Sequence, residues 1–301
     1  MSLRRVQKKI ERQFFNWKIE LIPEQNILFF GDPRGGTTWM GETLSNLFQL
    51  PILWEPMLPR KDSRFVKHQF APRQFLPDDL QDASIKSSFE DLFSGKHIDH
   101  WEIQHTTASD LAKAKAAIIK FTRGNMLLPY LTANFHFEKK PIYMLRNPFA
   151  VVASQLKHAG WKDAKPFFEI PKSPHNQVYL AHEDFLKKLN TLEEVQMAKW
   201  ALTNQQVVSH PRHDKDWVYI TYEETLLQPE KTLTKILNRW GSKDVQLSTI
   251  DFDKKSRTSA DNIIKTKEEQ LNHWQKSFSS QQMNKMKNVL DYFEMSYENI
   301  N

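Results

Sequence analysis

Short apolar runs alternate along this chain with stretches of helical periodicity. Ile27 to Phe30, Ala116 to Phe121, Pro141 to Leu145 and Trp217 to Thr221 are runs that fit buried strands, and Leu50 to Glu55 fits a shorter one. Between them the apolar positions recur every three or four residues. Helices are therefore expected from Thr37 to about Gln49, Asp79 to Phe93, Asn125 to Phe135, Phe149 to Lys157, His182 to Val208 and Glu223 to Trp240. An amphipathic helix is expected over 2–20, with Val6, Ile10, Phe14 and Trp17 on one face, packed on the rest of the protein. Residues 57–110 and 159–180 read as largely irregular. Strand followed by helix, repeated, predicts an α/β fold of three layers around a central parallel sheet. With no internal repeat and no low-complexity linker, the 301 residues are expected to form a single domain.

In such sheets ligands bind beyond the carboxyl ends of the strands. The first strand runs into Gly31-Asp32-Pro33-Arg34-Gly35-Gly36-Thr37-Thr38-Trp39, a turn rich in glycine that opens a helix. Amides at a helix start have no intrahelical partner and point toward an anion placed there. The spacing approaches the phosphate loop of nucleotide triphosphatases, Gly, four residues, Gly, Lys, Ser/Thr, but Thr37 stands where the lysine belongs and the local cation is Arg34. Glu55, Lys120, Arg146 and Tyr222 all fall at or just past strand ends, and Ser154 lies two turns into the helix after Arg146. Three cations on one edge suit a ligand with several anionic groups. The loop suits one of these groups and Arg146 with Ser154 a second, separate one.

Composition narrows the classes. The net charge is +6, scattered rather than blocked, which suits an anionic ligand without pointing to nucleic acid. The absence of cysteine removes disulfides, thiolate zinc and cysteine catalysis. No apolar run approaches the ~18 residues of a membrane span, and a soluble, cytoplasmic protein is expected. His97, His100 and His105 match no strong ligand spacing, so no metal is expected.

From Ile27 to Phe278 the chain resembles the sulfotransferases that use 3′-phosphoadenosine 5′-phosphosulfate (PAPS). Pro33 to Trp39 is similar to that family's phosphosulfate loop, usually Pro-Lys-Ser-Gly-Thr-Thr-Trp, and Arg146-Asn147-Pro148 with Ser154 to its 3′-phosphate site. Lys120 followed by Leu127-Leu128-Pro129, Tyr222-Glu223-Glu224, and Trp274 with Phe278 match further family segments in spacing. The resemblance implies PAPS as sulfate donor and no metal. It implies that Arg34, Gly35, Gly36, Thr37 and Thr38 hold the phosphosulfate. Trp39 and Tyr222 would meet the adenine, and Arg146 and Ser154 the 3′-phosphate, while Arg34 and Lys120 neutralise the leaving group.

Three departures stand out. Arginine replaces the loop lysine, Thr122 replaces the cytosolic members' catalytic histidine, and Lys267-Glu268-Glu269 stands where Arg-Lys-Gly is usual, leaving Lys276 or Arg257 as helpers. Glu55, placed as the catalytic glutamate of Golgi-type members, is then the expected base, with His105 in reserve. The acceptor, a small molecule, carbohydrate, lipid or peptide bearing a hydroxyl or amine, is expected to lie among 57–110 and 159–185, against Trp101, Trp161 and Phe168. A phosphate-loop kinase or hydrolase, and a non-catalytic or membrane-associated nucleotide-binding relative, remain as alternatives.

Overall fold

The computed structural model describes residues 19–57, 63–99, 101–242, 245–252 and 266–296. Five strands, β1 (Ile27–Gly31), β2 (Ile52–Trp54), β3 (Ile118–Phe121), β4 (Ile142–Leu145) and β5 (Val218–Thr221), form one sheet in the order β2-β3-β1-β4-β5. Every pairing is parallel. The register brings Trp54 beside Lys120, Phe30 beside Phe121 and Leu145 beside Thr221, so the carboxyl ends line up along one edge.

Alternation along each strand divides the core in two. Leu28, Phe30, Ile119, Phe121, Tyr143 and Leu145 face one layer of helices, and Ile27, Phe29, Ile118, Ile142, Met144 and Ile220 face the other. Phe30 stacks flat on Phe121 with centroids 4.6 Å apart, a contact worth about 1 kcal/mol beyond its buried area. On the second face lie α1 (Thr37–Phe48), through Met40 and Leu44, and the later helix Pro229–Arg239, through Leu233 and Ile236. The first face is covered by α2 (Ala83–Phe93), α3 (Leu128–Asn134), α4 (Pro148–Lys157), α5 (Leu192–Val208) and the C-terminal helix Ser280–Tyr292.

The chain leaves β1 toward one face through α1 and leaves β4 toward the other through α4. β1 and β4 are neighbours, so a crevice opens above them at the point where the winding reverses. The loop after β1 and the turn after β4 share that crevice.

Several boundaries differ from the sequence expectation. The helix expected over His182–Val208 is broken into a turn at Glu183–Leu186 and α5, because the Thr191 side chain accepts from the Glu194 amide and caps a new start. The segment expected as one helix over Glu223–Trp240 divides at Gln228, whose successor Pro229 has no N–H to continue the ladder. Asp82 caps α2 and so sets its start at Ala83 rather than Asp79, and residues 125–127 form a 3-10 turn before α3. The helix expected over 2–20 lies almost wholly outside the described residues. Ile19 and Leu21 are buried in non-helical backbone, and the Leu21 N–H donates to the Ser94 carbonyl at 3.1 Å.

A buried polar cluster joins this framework to the loop. Asn204 of α5 donates to the Asp32 carboxylate at 2.7 Å, and accepts from the Tyr143 hydroxyl at 2.8 Å and the Asn125 amide at 3.1 Å. Asp32 also meets Arg73 at 3.2 Å, and burial raises its pKa above the usual carboxylate value. Replacing Asn204 by leucine leaves a buried carboxylate, a hydroxyl and an amide short of a partner. Asn204→Leu is expected to cost about 2–5 kcal/mol. The loss is read as a lower urea midpoint at unchanged slope; a shift below about 0.5 kcal/mol would show that the cluster does not anchor the loop.

Candidate active site

The loop is shaped by what surrounds it. A Cβ at Gly31 would lie 2.6 Å from Thr37 Cγ2 and 3.0 Å from the Met144 carbonyl, so β1 ends where only hydrogen fits. Gly36 caps α1 at a φ of +85°, and a Cβ there would sit 2.2 Å from the ring of Tyr222. The tyrosine ring therefore rests directly on the glycine backbone. As the cap residue, Gly36 has no side chain to offer the first-turn amides of α1.

Arg34 holds a left-handed backbone, φ +70°. Its Nε donates to Ser154 Oγ at 3.0 Å, and its carbonyl accepts from Arg146 Nη1 at 2.8 Å. Gln155 donates to the Pro33 carbonyl at 3.0 Å. The Arg146 guanidinium lies 4.0 Å over the Tyr222 ring, and its Nε is buried without a hydrogen-bond partner among the described residues. Burial, and then the charge of Arg146, pull the Arg34 pKa below its ordinary value. Neither guanidinium has a carboxylate at ion-pair distance among the described residues. Glu223 accepts from the Asn147 N–H at 3.0 Å, and its other oxygen has no hydrogen-bond partner among the described residues; burial raises its pKa, opposed by the Asn147 N–H and by Arg146. Two adjacent guanidiniums beside uncapped helix amides are a place for an anion.

A second group stands on the β2 side of the loop. Glu55 follows β2 with φ at +47°, and its N–H donates to the Lys120 carbonyl at 2.9 Å. Its carboxylate lies 2.8 Å from Arg123 and 3.7 Å from Lys120 Nζ. Lys120 is buried, its ammonium 3.5 Å over the Trp54 ring, and burial brings its pKa down to about 8 against the pull of Glu55. His105 packs edge-on to Trp54 at 4.1 Å. Trp39, Glu42, Trp54 and His105 line a cavity of about 470 Å³ on the outer side of α1.

Thus the residues marked in the sequence come together as two clusters. Arg34, Gly36, Arg146, Ser154 and Tyr222 form one, and Glu55 with Lys120 the other, with Trp39 on the adjoining cavity. Ser154 touches Arg34 itself, so the loop cation and the helix after β4 meet in one cluster. Thr122 is buried, with Arg123 Nη1 3.5 Å from its hydroxyl. Lys276 is exposed and makes no hydrogen bond or ion pair among the described residues. Its segment is nonetheless in place: Trp274 stacks on Phe149 at 5.1 Å, Lys157 donates to Ser277 at 2.8 Å, and Gln270 donates to the Tyr222 hydroxyl. Arg257 and His100 lie outside the described residues. Among those described, no three His, Asp or Glu side chains are grouped as a metal site, and no helix is long and apolar enough to cross a membrane. Phe168 is buried against Tyr179 at 6.2 Å, whereas Trp161 packs on His158 at 5.5 Å. Arg123, Gln155 and Gln270 went unmarked, and Glu223 was noted only as part of the Tyr222-Glu223-Glu224 segment. Arg123 and Gln155 lie close to marked residues in sequence, whereas Gln270 carried no local signal.

Residues 24–299 match the family model of the sulfotransferase domain, and the chain belongs to that family. Solved structures similar to it include three sulfotransferases. The sulfotransferase domain from the curacin biosynthetic pathway is 16% identical over 90% of this chain and 98% of its own, with a TM-score of 0.46. Mouse sulfotransferase SULT7A1 complexed with PAP is 13% identical over 97% and 96%, TM-score 0.42. The sulfotransferase domain of the Synechococcus PCC 7002 olefin synthase is 15% identical over 90% and 96%, TM-score 0.43. No curated protein matches the sequence.

Proposed function

We propose that this chain transfers the sulfuryl group of PAPS to a hydroxyl or amine acceptor, with Glu55 as general base. The observation that carries the reading is the pair of guanidiniums, Arg34 and Arg146, beside the uncapped start of α1. One arginine belongs to the loop and the other to the turn after β4, so together they suit a donor with anionic groups at both ends of a nucleoside. The orphaned Nε of Arg146 fits a 3′-phosphate, and Arg34 with the amides from Gly36 to Thr38 fits the phosphosulfate, while the Gly35 N–H closes the turn onto the Asp32 carbonyl at 2.9 Å. Tyr222, stacked under Arg146, and Trp39, at the rim of its cavity, supply flat faces for a base. Lys276 lies on the segment that covers this edge.

Chemically, the acceptor oxygen attacks sulfur as its proton passes to a Glu55 oxygen, and the bond from sulfur to the bridging phosphate oxygen breaks. Negative charge then gathers on the departing bisphosphate, where Arg34 and Lys120 offset it without reorganising. The left-handed backbone of Glu55 costs about 1–3 kcal/mol. It persists because the Lys120 carbonyl holds the residue's N–H while Arg123 and Lys120 hold its carboxylate. Strain retained at a strand end, beside cations, supports a catalytic role.

Adenosine 3′,5′-bisphosphate is expected to raise the melting temperature more than ADP does, and Arg146→Ala to erase the difference. Equal shifts in the unaltered protein would sink the PAPS reading. Glu55→Gln is expected to lower kcat by about 10²–10⁴ at unchanged donor KM, and an unaltered kcat would remove Glu55 as base. Lys120, at about pKa 8, is charged below that pH and neutral above it. Its contribution is therefore present at low pH and lost as pH rises: kcat/KM for the donor should fall through a limb near 8, and the residual rate of Lys120→Gln should lack that limb.

A further inference from the structure

Beyond Glu55, along the side opposite Arg146, three cations follow one another. Arg123 is bound to Glu55, and its carbonyl accepts from the Arg73 N–H at 3.1 Å. Arg73 sits in left-handed backbone, φ +60°, fixed by the Tyr179 hydroxyl, which donates to its carbonyl at 2.7 Å. One of its guanidinium nitrogens meets Asp32. Next is Lys199, whose amine feels the positive charge of Arg73 and lies 6.0 Å from the centre of the Phe168 ring. Lys199 is half-buried, and its ammonium has no hydrogen-bond or ion-pair partner among the described residues. The carboxylate nearest in charge, Glu169, is exposed and already bound to Lys165 at 2.5 Å.

The helix places this amine beyond the strand ends. Asn204 of α5 touches Asp32 at the first turn of the loop, and α5 runs on toward the amino-terminal edge of β5. Lys199, five residues earlier, stands ~7.5 Å further out along the axis, among the segments 70–75 and 166–180. A half-buried ammonium without a counter-charge is costly to keep; burial and Arg73 bring its pKa down to about 8. A packed protein removes such a cost with a carboxylate or a salt-bridged network; among the described residues no carboxylate lies at ion-pair distance from this amine, and Glu169 acts on it only from further off.

We propose that Lys199 and Arg73 form an anion subsite for the acceptor, so that this enzyme sulfates hydroxyl compounds that also carry a carboxylate or another anionic group. The proposal rests on the transferase reading above and concerns which acceptor that site takes. The acceptor's anion would sit between Lys199 and Arg73, leaving its hydroxyl toward Glu55.

The test uses hydroxy acids paired with their primary amides, for example 3-(4-hydroxyphenyl)propionate and its amide, as acceptors for the full chain with PAPS. The acid of each pair should be sulfated with kcat/KM at least about tenfold above the amide, the size of one charge-assisted hydrogen bond. Lys199→Met should erase the preference and Lys199→Arg retain it, both with unaltered stabilisation by adenosine 3′,5′-bisphosphate. Equal use of acid and amide, a preference that survives Lys199→Met, or refusal of every pair by protein that binds the bisphosphate would overturn the proposal. Failure of the unaltered protein to bind the bisphosphate is a separate result, which would overturn the transferase reading and this inference with it.

Discussion

The arrangement at the strand ends depends on a single strip of backbone, Pro33 to Arg34, that is gripped from the far side of the sheet's reversal. Arg146 and Gln155 donate to its two carbonyls, and Ser154 accepts from the Arg34 side chain. These partners come from β4's end and from α4, more than a hundred residues away in sequence. The grip occupies both carbonyls, and the Gly35 N–H turns back to the Asp32 carbonyl at 2.9 Å to close the turn. It also brings two like charges together. Two guanidiniums in one place are unfavourable unless an anion joins them, and neither has a carboxylate at ion-pair distance among the described residues.

Behind the loop the polar cluster of Asp32, Asn204, Tyr143 and Asn125 gives a different kind of support. It is buried, and its hydrogen bonds cross from β1's end to α5 and β4. Apolar packing alone would allow the loop to slide along the sheet. A network of this sort fixes register, because each displaced partner loses a bond it cannot recover from water.

The sheet was legible in the sequence because all five strands are covered on both faces, and continuous apolar runs are the direct mark of that. The turn after β1 was legible for a similar reason: glycine, proline and threonine are the residues that such a turn demands, and they are local. Helix interruptions were less so, although Thr191 with Glu194 and the Gln228-Pro229 step were present to be read; the apolar period continued across both and masked them. What could not be read was partnership. Ser154 was marked, but that it touches Arg34 depends on the depth at which α4 crosses the crevice. Arg123 beside Glu55, Gln270 on Tyr222 and Lys199 near Arg73 are meetings of residues 48 to 126 positions apart, for which no periodicity exists.

The contact between Gly36 and the Tyr222 ring has a consequence for how this sequence is able to vary. A methyl group at position 36 and a ring at position 222 would occupy the same space. The two positions are in effect one choice made twice, once in the loop and once at the end of β5. A lineage that enlarged the glycine would first have to surrender the tyrosine, and with it the platform under Arg146 and the hydroxyl that anchors Gln270. Change at either position therefore passes through a poorer intermediate, and the pair is held by the cost of that path as well as by what each residue does.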